Sequence, residues 1–460
     1  MKNKEKLWGG RFKKPTNKKV ECFTESLSFD IRLYSYDIAG SVAHAKMLVK
    51  AGILTKKESS KIVKTLKLIK SDMDSCKFKA SVSDEDIHMV IEKELIKRLG
   101  ALGKKLHTAR SRNDQVSLDT RMYIKDISKT ILSCLLNLQG RMARLGAKYS
   151  EVIIPGLTHL QFAMPVTFAH YMLSFVEMFE RDKDRVKDAL KRVDVLPLGS
   201  CALAGTALAI DRKFVAKELG FSAVSANSMD AVSDRDFVIE FLSALSVVGI
   251  HLSRLAEDII YYSSSAVGMM ELPEDFCTGS SMMPQKKNPD VAELVRAKSA
   301  GLIGNVVAML TVMKGLPMTY NRDMQEDKKL LFDSVDTVTQ MLEITAEFVN
   351  GITLNKKVIN NLVNKDLGLF ATDIAEYLVK KGLPFRDAHH VVGEIMASTI
   401  ATKKPEEVNL KALKVFSSKF SSDVIKILNA ENSVKLKKSS GSPAPSKVKE
   451  ELKKWLKTGK

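Results

Sequence analysis

Apolar residues recur along this chain at alternating steps of three and four, the spacing of amphipathic helices. The longest run is Val238, Phe241, Leu245, Val248, Leu252, Leu255, Ile259 and Tyr262. It predicts one long helix with a single stripe packed against other helices. Ile124, Ile127, Ile131, Cys134 and Leu138 repeat the spacing, with Leu145 further along the same line, and predict a second long helix. Residues 168–190 and 291–313 read as two more. Ahead of them, Ile31, Tyr34, Ile38, Val42, Ala45 and Val49 predict a helix that Gly52 ends. Thr55-Lys-Lys-Glu58 then has the form of a capping box, opening a helix continued by Ile62, Leu66 and Ile69. Val90, Ile91, Leu95 and Leu99 mark a third.

After Leu354 the pattern shortens, to helices over 362–383 and 385–399 and another near 409–429. A linker-like stretch, 439–446, precedes a last amphipathic segment at 448–455. No set of alternating strand patterns is long enough to build a sheet. The chain therefore reads as all-α, in three mainly helical regions: 1–111, 112–361 and 362–460. The middle one is a long-helix bundle, and seams of this length suggest burial against partner chains.

Net charge changes this picture little. Residues 1–19 hold eight Lys/Arg against one Glu, and residues 435–460 hold nine Lys against two Glu. Each end thus carries +7, leaving only +4 of the total +18 for the residues between them. Lysine-rich ends of this kind are solvated tails, and no basic recognition helix, zinc finger or RNA-binding aromatic motif accompanies them. Nucleic-acid binding is not expected. The five cysteines, Cys22, Cys76, Cys134, Cys201 and Cys277, show no C-x-x-C spacing, which predicts reduced thiols in a cytoplasmic setting. The first residues lack the apolar segment of a secretory signal, and no uninterrupted apolar run has membrane-spanning length.

Three polar stretches sit where predicted helices meet: His107-Thr-Ala-Arg-Ser-Arg-Asn-Asp114, Gly156-Leu-Thr-His-Leu-Gln161 and Thr278-Gly-Ser-Ser-Met-Met-Pro-Gln-Lys-Lys-Asn-Pro-Asp290. Helix ends leave backbone groups free to bind. The third stretch, rich in Gly, Ser and Pro, reads as a loop whose hydroxyls, lysines and asparagine suit an anionic substrate. On residue type alone, His159 is the natural general base. No metal-ligand cluster, Walker A motif or G-x-G-x-x-G loop is present, so neither metal nor cofactor is expected.

Gly279-Ser-Ser-Met-Met-Pro-Gln-Lys-Lys-Asn288 matches the G-S-S-x-M-P-x-K-x-N pattern of the fumarase/aspartase superfamily. Within it, the chain resembles the argininosuccinate lyase family. The likeness runs through Leu7-Trp-Gly-Gly-Arg-Phe12, Glu85-Asp-Ile-His88, Ser111-Arg-Asn-Asp114, Thr158-His-Leu-Gln161 and Asp230-Ala-Val-Ser-Asp-Arg-Asp-Phe237. It continues through Ala371-Thr-Asp-Ile-Ala-Glu-Tyr-Leu378 to Gly382-Leu-Pro-Phe-Arg-Asp-Ala-His-His390. Two departures stand out. Ala109 occupies a position where glycine is usual, and Met282 one where leucine is usual.

The resemblance implies a homotetramer with a twenty-helix core and active sites drawn from three subunits. It implies reversible elimination of argininosuccinate to arginine and fumarate through an aci-carboxylate, without metal or cofactor, as the last step of arginine biosynthesis. By the same resemblance Ser280 is the base, and Lys286 and Asn288 grip the carboxylate that gains charge. His159 is the general acid, with Glu293 as its partner. Ser26, Asn113, Thr158, Tyr320, Gln325 and Lys328 hold the carboxylate and amino-acid ends, Arg112 and Arg235 supply further charge or structural pairing around the site, and Asp86 and His88 lie near the guanidinium. Other readings are a sister activity of the superfamily, such as adenylosuccinate lyase, aspartase or fumarase, and a catalytically silent relative like the lens crystallins of this fold.

Overall fold

The computed structural model describes Lys14, residues 16–75, Lys77 and residues 84–458. The Leu7 to Phe12 motif, Cys76 and residues 81–83 lie outside the described residues. Five long helices dominate: Arg112–Lys148, Phe168–Val193, Asp236–Ser263, Asp290–Met313 and Asp327–Gly351. Every member of the 238–262 seam is buried in the Asp236–Ser263 helix. In the Arg112–Lys148 helix the buried line is Ile124, Ile131, Leu135, Leu138, Met142 and Leu145, while Ile127 and Cys134 sit half-buried on its flank. The seven-residue series 124, 131, 138 and 145 stays buried throughout, and the positions four residues on from Ile131 and Leu138, Leu135 and Met142, complete the stripe in place of Ile127 and Cys134. The predicted capping box forms, with Glu58 N–H donating to Thr55 Oγ1 at 3.2 Å and Thr55 N–H to Glu58 Oε2 at 2.9 Å.

Two compact units share the chain. The first holds Met1–Ile131, Asp184–Ser246 and Gly301–Thr337; the second holds Leu132–Lys183, Val247–Ala300 and Val338–Lys460. Each boundary falls inside one of the five long helices. In the first unit, Arg121 Nη1 donates to Arg192 O at 2.7 Å, and its guanidinium covers the Phe237 ring at 3.9 Å. In the second, Gln139 Nε2 donates to Val176 O at 3.0 Å, His251 Nδ1 pairs with Asp182 at 2.7 Å, and Tyr171 OH donates to Asp258 at 3.0 Å. Apolar stripes supply the bulk of the packing energy. These directional bonds fix which helix faces which.

Strands were not expected, and three two-stranded sheets occur among the described residues. Only one is substantial: β1 (Ile153–Thr158) pairs antiparallel with β2 (Gln161–Thr167) in the second unit. Its sequence hides it. Pro155 and Pro165 face each other across the ladder, and the turn residues His159 and Leu160 adopt φ of 55° and 56° without the Asn-Gly that such a turn favours.

Shorter helices follow Leu354, with more breaks than the periodicity predicts. The expected 362–383 helix is split into Lys356–Val363, a single turn at Gly368–Phe370, and Ala371–Lys380. Asp366 Oδ1 accepts Gly368 N–H at 2.8 Å and forms the turn that interrupts it. The 385–399 helix is present as Phe385–Ala397, whereas 409–429 reduces to Leu410–Lys414 and the turn Ser422–Ile427. The last amphipathic segment is the Pro445–Thr458 helix.

By length and composition, Asp236–Ser263 and Asp290–Met313 are apolar enough to cross a membrane. The first has 50% of its apolar window buried; the second has only 22%, and exposes Leu294, Ile303, Val307 and Leu310.

Candidate active site

A cavity of about 290 Å³ opens in the first unit at the N-terminus of the Arg112–Lys148 helix. Asp86 stands beside it as N-cap of the Ile87–Leu99 helix, accepting Met89 N–H at 2.7 Å. The segment Arg110 to Asp114 fixes the site's frame because four of its side chains hold three separate segments. Arg110 donates to Ser41 Oγ at 2.7 Å, and Arg112 to Asp86 Oδ2 at 2.9 Å. Asn113 donates to Ala202 O at 3.0 Å, while Asp114 Oδ2 accepts Gly199 N–H at 2.9 Å and Cys201 N–H at 2.7 Å. Burial pushes the Asp114 carboxyl up to about 6 despite those bonds. Arg212 secures the same loop from below, through Leu198 O at 2.9 Å and Pro197 O at 3.2 Å.

Charge is concentrated in the wall. Burial alone would push His88 down, but its hydrogen bond to Asp37 and the charges of Asp37, Asp86 and Asp119 raise it to about 9. Asp37 would rise with burial, yet His88, Arg110 and Gln115 hold it below the usual carboxylate value. Burial raises Asp30, which accepts Ser26 Oγ at 2.5 Å and Ile87 N–H at 3.1 Å. Ser26 makes no side-chain cap to the Leu27–Asp30 turn that follows it, so its hydroxyl is committed to Asp30. Opposite, Lys328 Nζ donates to Asp327 Oδ1 at 2.9 Å, and Asp327 also accepts Arg235 Nε at 2.5 Å. Burial would raise Asp327, but these two cations lower it.

Eight residues singled out in the sequence line this cavity: Ser26, Asp86, His88, Arg112, Asn113, Tyr320, Gln325 and Lys328. Arg235 does not line it. Fully buried, it reaches the site only through Asp327 and Lys328. Thr158 and His159 stand exposed at the β1–β2 tip in the second unit. Ser280, Lys286 and Asn288 belong to a loop of that unit whose base is closed by Thr278 and Asn288, with Asn288 N–H donating to Thr278 O at 2.8 Å. Ser280 Oγ accepts Met283 N–H at 3.1 Å and Met282 N–H at 3.3 Å. Glu293 is exposed in the first turn of the Asp290–Met313 helix, and among the described residues no hydrogen bond or ion pair joins it to His159.

Asp30, Glu85, Val116 and Arg322 also line the cavity and had not been singled out. Arg322 Nη1 binds Glu85 Oε1 at 2.9 Å, and Glu85 O accepts Ser26 N–H at 2.8 Å. Backbone strain marks the same places. Among the described residues, the non-glycine positions with left-handed φ are Glu85, Ala109, His159, Leu160, Cys201 and Thr319. Glu85, Ala109, His159, Cys201 and Thr319 directly adjoin Asp86, Arg110, Thr158, Ala202 and Tyr320, and Leu160 follows His159 in the β1–β2 turn. Strain of this kind persists only where surrounding bonds enforce it, and it gathers at functional positions. One sequence signal was available. The start of the Arg112–Lys148 helix carries Asp114, Gln115, Ser117, Asp119, Thr120 and Arg121, all buried, where an ordinary helix would show an apolar stripe.

Residues 10–304 match the family described as "Lyase", and residues 368–435 the family described as "Argininosuccinate lyase C-terminal". The argininosuccinate lyase of Syntrophus aciditrophicus is 51% identical over 450 residues, spanning 98% of this chain and 95% of that one. That of Moorella thermoacetica is 51% identical over 445 residues, 96% of each. Among solved structures, an EDDS lyase in complex with formate has a TM-score of 0.83 at 25% identity, over 94% of this chain and 86% of that one. A class II fumarase from Schistosoma mansoni has a TM-score of 0.72 at 18% identity, over 89% and 91%, a likeness of fold. With half its positions shared along nearly its whole length, the chain belongs to the argininosuccinate lyase family of the fumarase/aspartase superfamily.

Proposed function

We propose that this chain catalyses the reversible elimination of argininosuccinate to arginine and fumarate, the last step of arginine biosynthesis. The observation that carries the reading is a cavity lined by Ser26, Asn113, Tyr320, Gln325 and Lys328 in a chain 51% identical to argininosuccinate lyases. Its mixture of one buried ammonium with hydroxyl and amide groups suits the carboxylate and amino-acid ends of that substrate.

The chemical difficulty is to remove a proton from the carbon beside a carboxylate that is already negative. Ser280 acts as the base. The two backbone N–H groups already donating to its Oγ support this, because they favour the alkoxide over the neutral hydroxyl. Lys286 and Asn288 take up the charge of the aci-carboxylate, and His159, supported by Glu293, protonates the departing nitrogen. Thr158 assists the carboxylate, Arg112 orients Asp86, Arg235 steadies Lys328 through Asp327, and Asp86 and His88 lie on the guanidinium side, Asp86 facing that cation and His88 an acceptor oxygen of the substrate. No metal or cofactor takes part in this scheme.

The working particle is a homotetramer, each site drawn from three subunits. Two features support it. Exposed Leu294, Ile303, Val307 and Leu310 give the Asp290–Met313 helix an apolar face suited to a partner chain, and exposed Leu160 and Phe162 do the same for the β1–β2 tip. In this reading the chain divides into regions 1–111, 112–361 and 362–460, and the protein works in the cytoplasm, away from membrane and nucleic acid. The test is fumarate release, followed by ultraviolet absorbance, from argininosuccinate, adenylosuccinate and aspartate in parallel. Turnover of argininosuccinate alone supports the proposal, and turnover of adenylosuccinate alone ends it.

A further inference from the structure

Behind the cavity wall, three ionisable side chains share an enclosed space with too few donors. His88 Nδ1 lies 2.7 Å from Asp37 Oδ2 and 3.4 Å from Asp119 Oδ2. Asp37 also accepts the Gln115 amide, and the Ser41 hydroxyl at 3.4 Å. Asp119 is 0% exposed, yet as a carboxylate neither of its oxygens accepts a hydrogen bond among the described residues. His88 Nε2 is likewise buried and unpartnered, on a residue that lines the cavity. An ionised carboxylate buried without donors, beside a second carboxylate, is strongly disfavoured. One proton shared between the two acids removes the conflict and gives Asp119 a partner.

We infer that Asp119 is held as the neutral acid, donates its O–H to Asp37, and so positions Asp37 to keep His88 a cation whose Nε2–H is left for a ligand in the cavity. The surrounding charges agree. Asp30 and Asp86 face the imidazole from the cavity side, Arg110 acts on Asp37 and Asp119, and Lys328 acts on Asp30 across the cavity. Burial followed by the Asp37 charge pushes Asp119 well above the usual carboxylate value. A divalent cation among Asp37, His88 and Asp119 is the competing occupant, since their ligand atoms lie within 4.8 Å of one another. The committed bond from His88 Nδ1 to Asp37 argues against it, because a protonated nitrogen cannot coordinate a metal.

Asp119 is thus a positioning residue, and only the consequence for turnover rests on the lyase reading. The test titrates His88 in the free tetramer by NMR, with histidines carbon-13 labelled and the signal assigned from a His88→Gln variant. Infrared spectra of the same samples report the carbonyl stretch of a protonated carboxylic acid. In Asp119→Asn an amide N–H replaces the O–H, so the His88 titration is expected to move by less than about half a unit while the infrared band disappears. Asp37→Asn, which removes the countercharge, is expected to lower it by about two units or more. A fall of more than about one unit in Asp119→Asn, or no infrared band to lose, overturns the inference, because Asp119 would then be an anion. Loss of the His88 signal on adding stoichiometric manganese(II) would also overturn it. Should Asp119→Asn fail to fold, the infrared band on the unaltered protein still decides: its absence refutes the neutral acid. None of these readouts requires turnover, so failure here and failure of the proposed reaction are distinguishable.

Discussion

Replacing Ala109 with glycine should make this protein more stable, the reverse of what Ala→Gly ordinarily does. Ala109 sits at φ 56°, in the left-handed region. Its flanks hold it there: His44 Nε2 bonds Thr108 O at 2.9 Å, and Arg110 is buried and bonded to Ser41. An L-residue in this conformation costs roughly 1–2 kcal/mol because Cβ crowds the carbonyl. Glycine removes that cost but loses about 0.4–1 kcal/mol through the freer unfolded chain. The net gain is about 0.5–1 kcal/mol per chain, a rise in melting temperature on the order of 1 °C for a chain of this size. Ala109→Val, with a branched Cβ in the same region, should lower it by several times as much. Calorimetry on the three proteins at one concentration decides the matter. A lower melting temperature for Ala109→Gly, or an unchanged one for Ala109→Val, would refute the claim that the segment is strained.

Other outcomes follow from the same structure. Burial lowers the folded pKa of His44 to about 3 from 6.5, so its contribution to stability is complete above 6.5 and is lost as pH falls toward 3. At pH 5 the loss is about 2 kcal/mol, seen as a drop in denaturation midpoint between pH 7 and 5 that His44→Gln should reduce. Arg235→Met leaves Asp327 with Lys328 alone; breaking a buried pair costs about 3–5 kcal/mol, and kinetics should show KM rising more than kcat falls. If Arg235 instead touches the reacting groups, kcat would take the larger loss. Val307→Asp with Leu310→Asp should dissociate the assembly in sedimentation, and an unchanged particle mass would contradict the proposed interface. Ser280→Ala should lower kcat by at least about 100-fold with the assembly intact.

Much of the fold was legible because burial follows period. The 238–262 seam predicted a helix and its buried face together, and the Thr55 capping box located a helix start to the residue. The β1–β2 hairpin was not legible, since its turn takes left-handed φ at His159 and Leu160 with neither glycine nor asparagine to announce it. For the site, the resemblance to the argininosuccinate lyase family singled out eight residues that now line one cavity. The support behind them was hidden. Asp37 and Asp119 were not singled out and Asp114 only closed a polar stretch, whereas packing shows that all three are buried. Arg235 stood between substrate contact and structural pairing, and its burial against Asp327 gives it a place one layer back.

The most direct measurement of the central claim is subunit exchange between two variants of the proposed tetramer, one carrying Ser280→Ala and the other His159→Asn, each expected to be inactive. If hydroxyl and imidazole reach a common site from different chains, mixing under exchange conditions should restore a measurable fraction of argininosuccinate turnover, because some sites in mixed tetramers receive both intact groups. If mixed tetramers form, verified by mass, and remain as inactive as their parents, the shared site is contradicted.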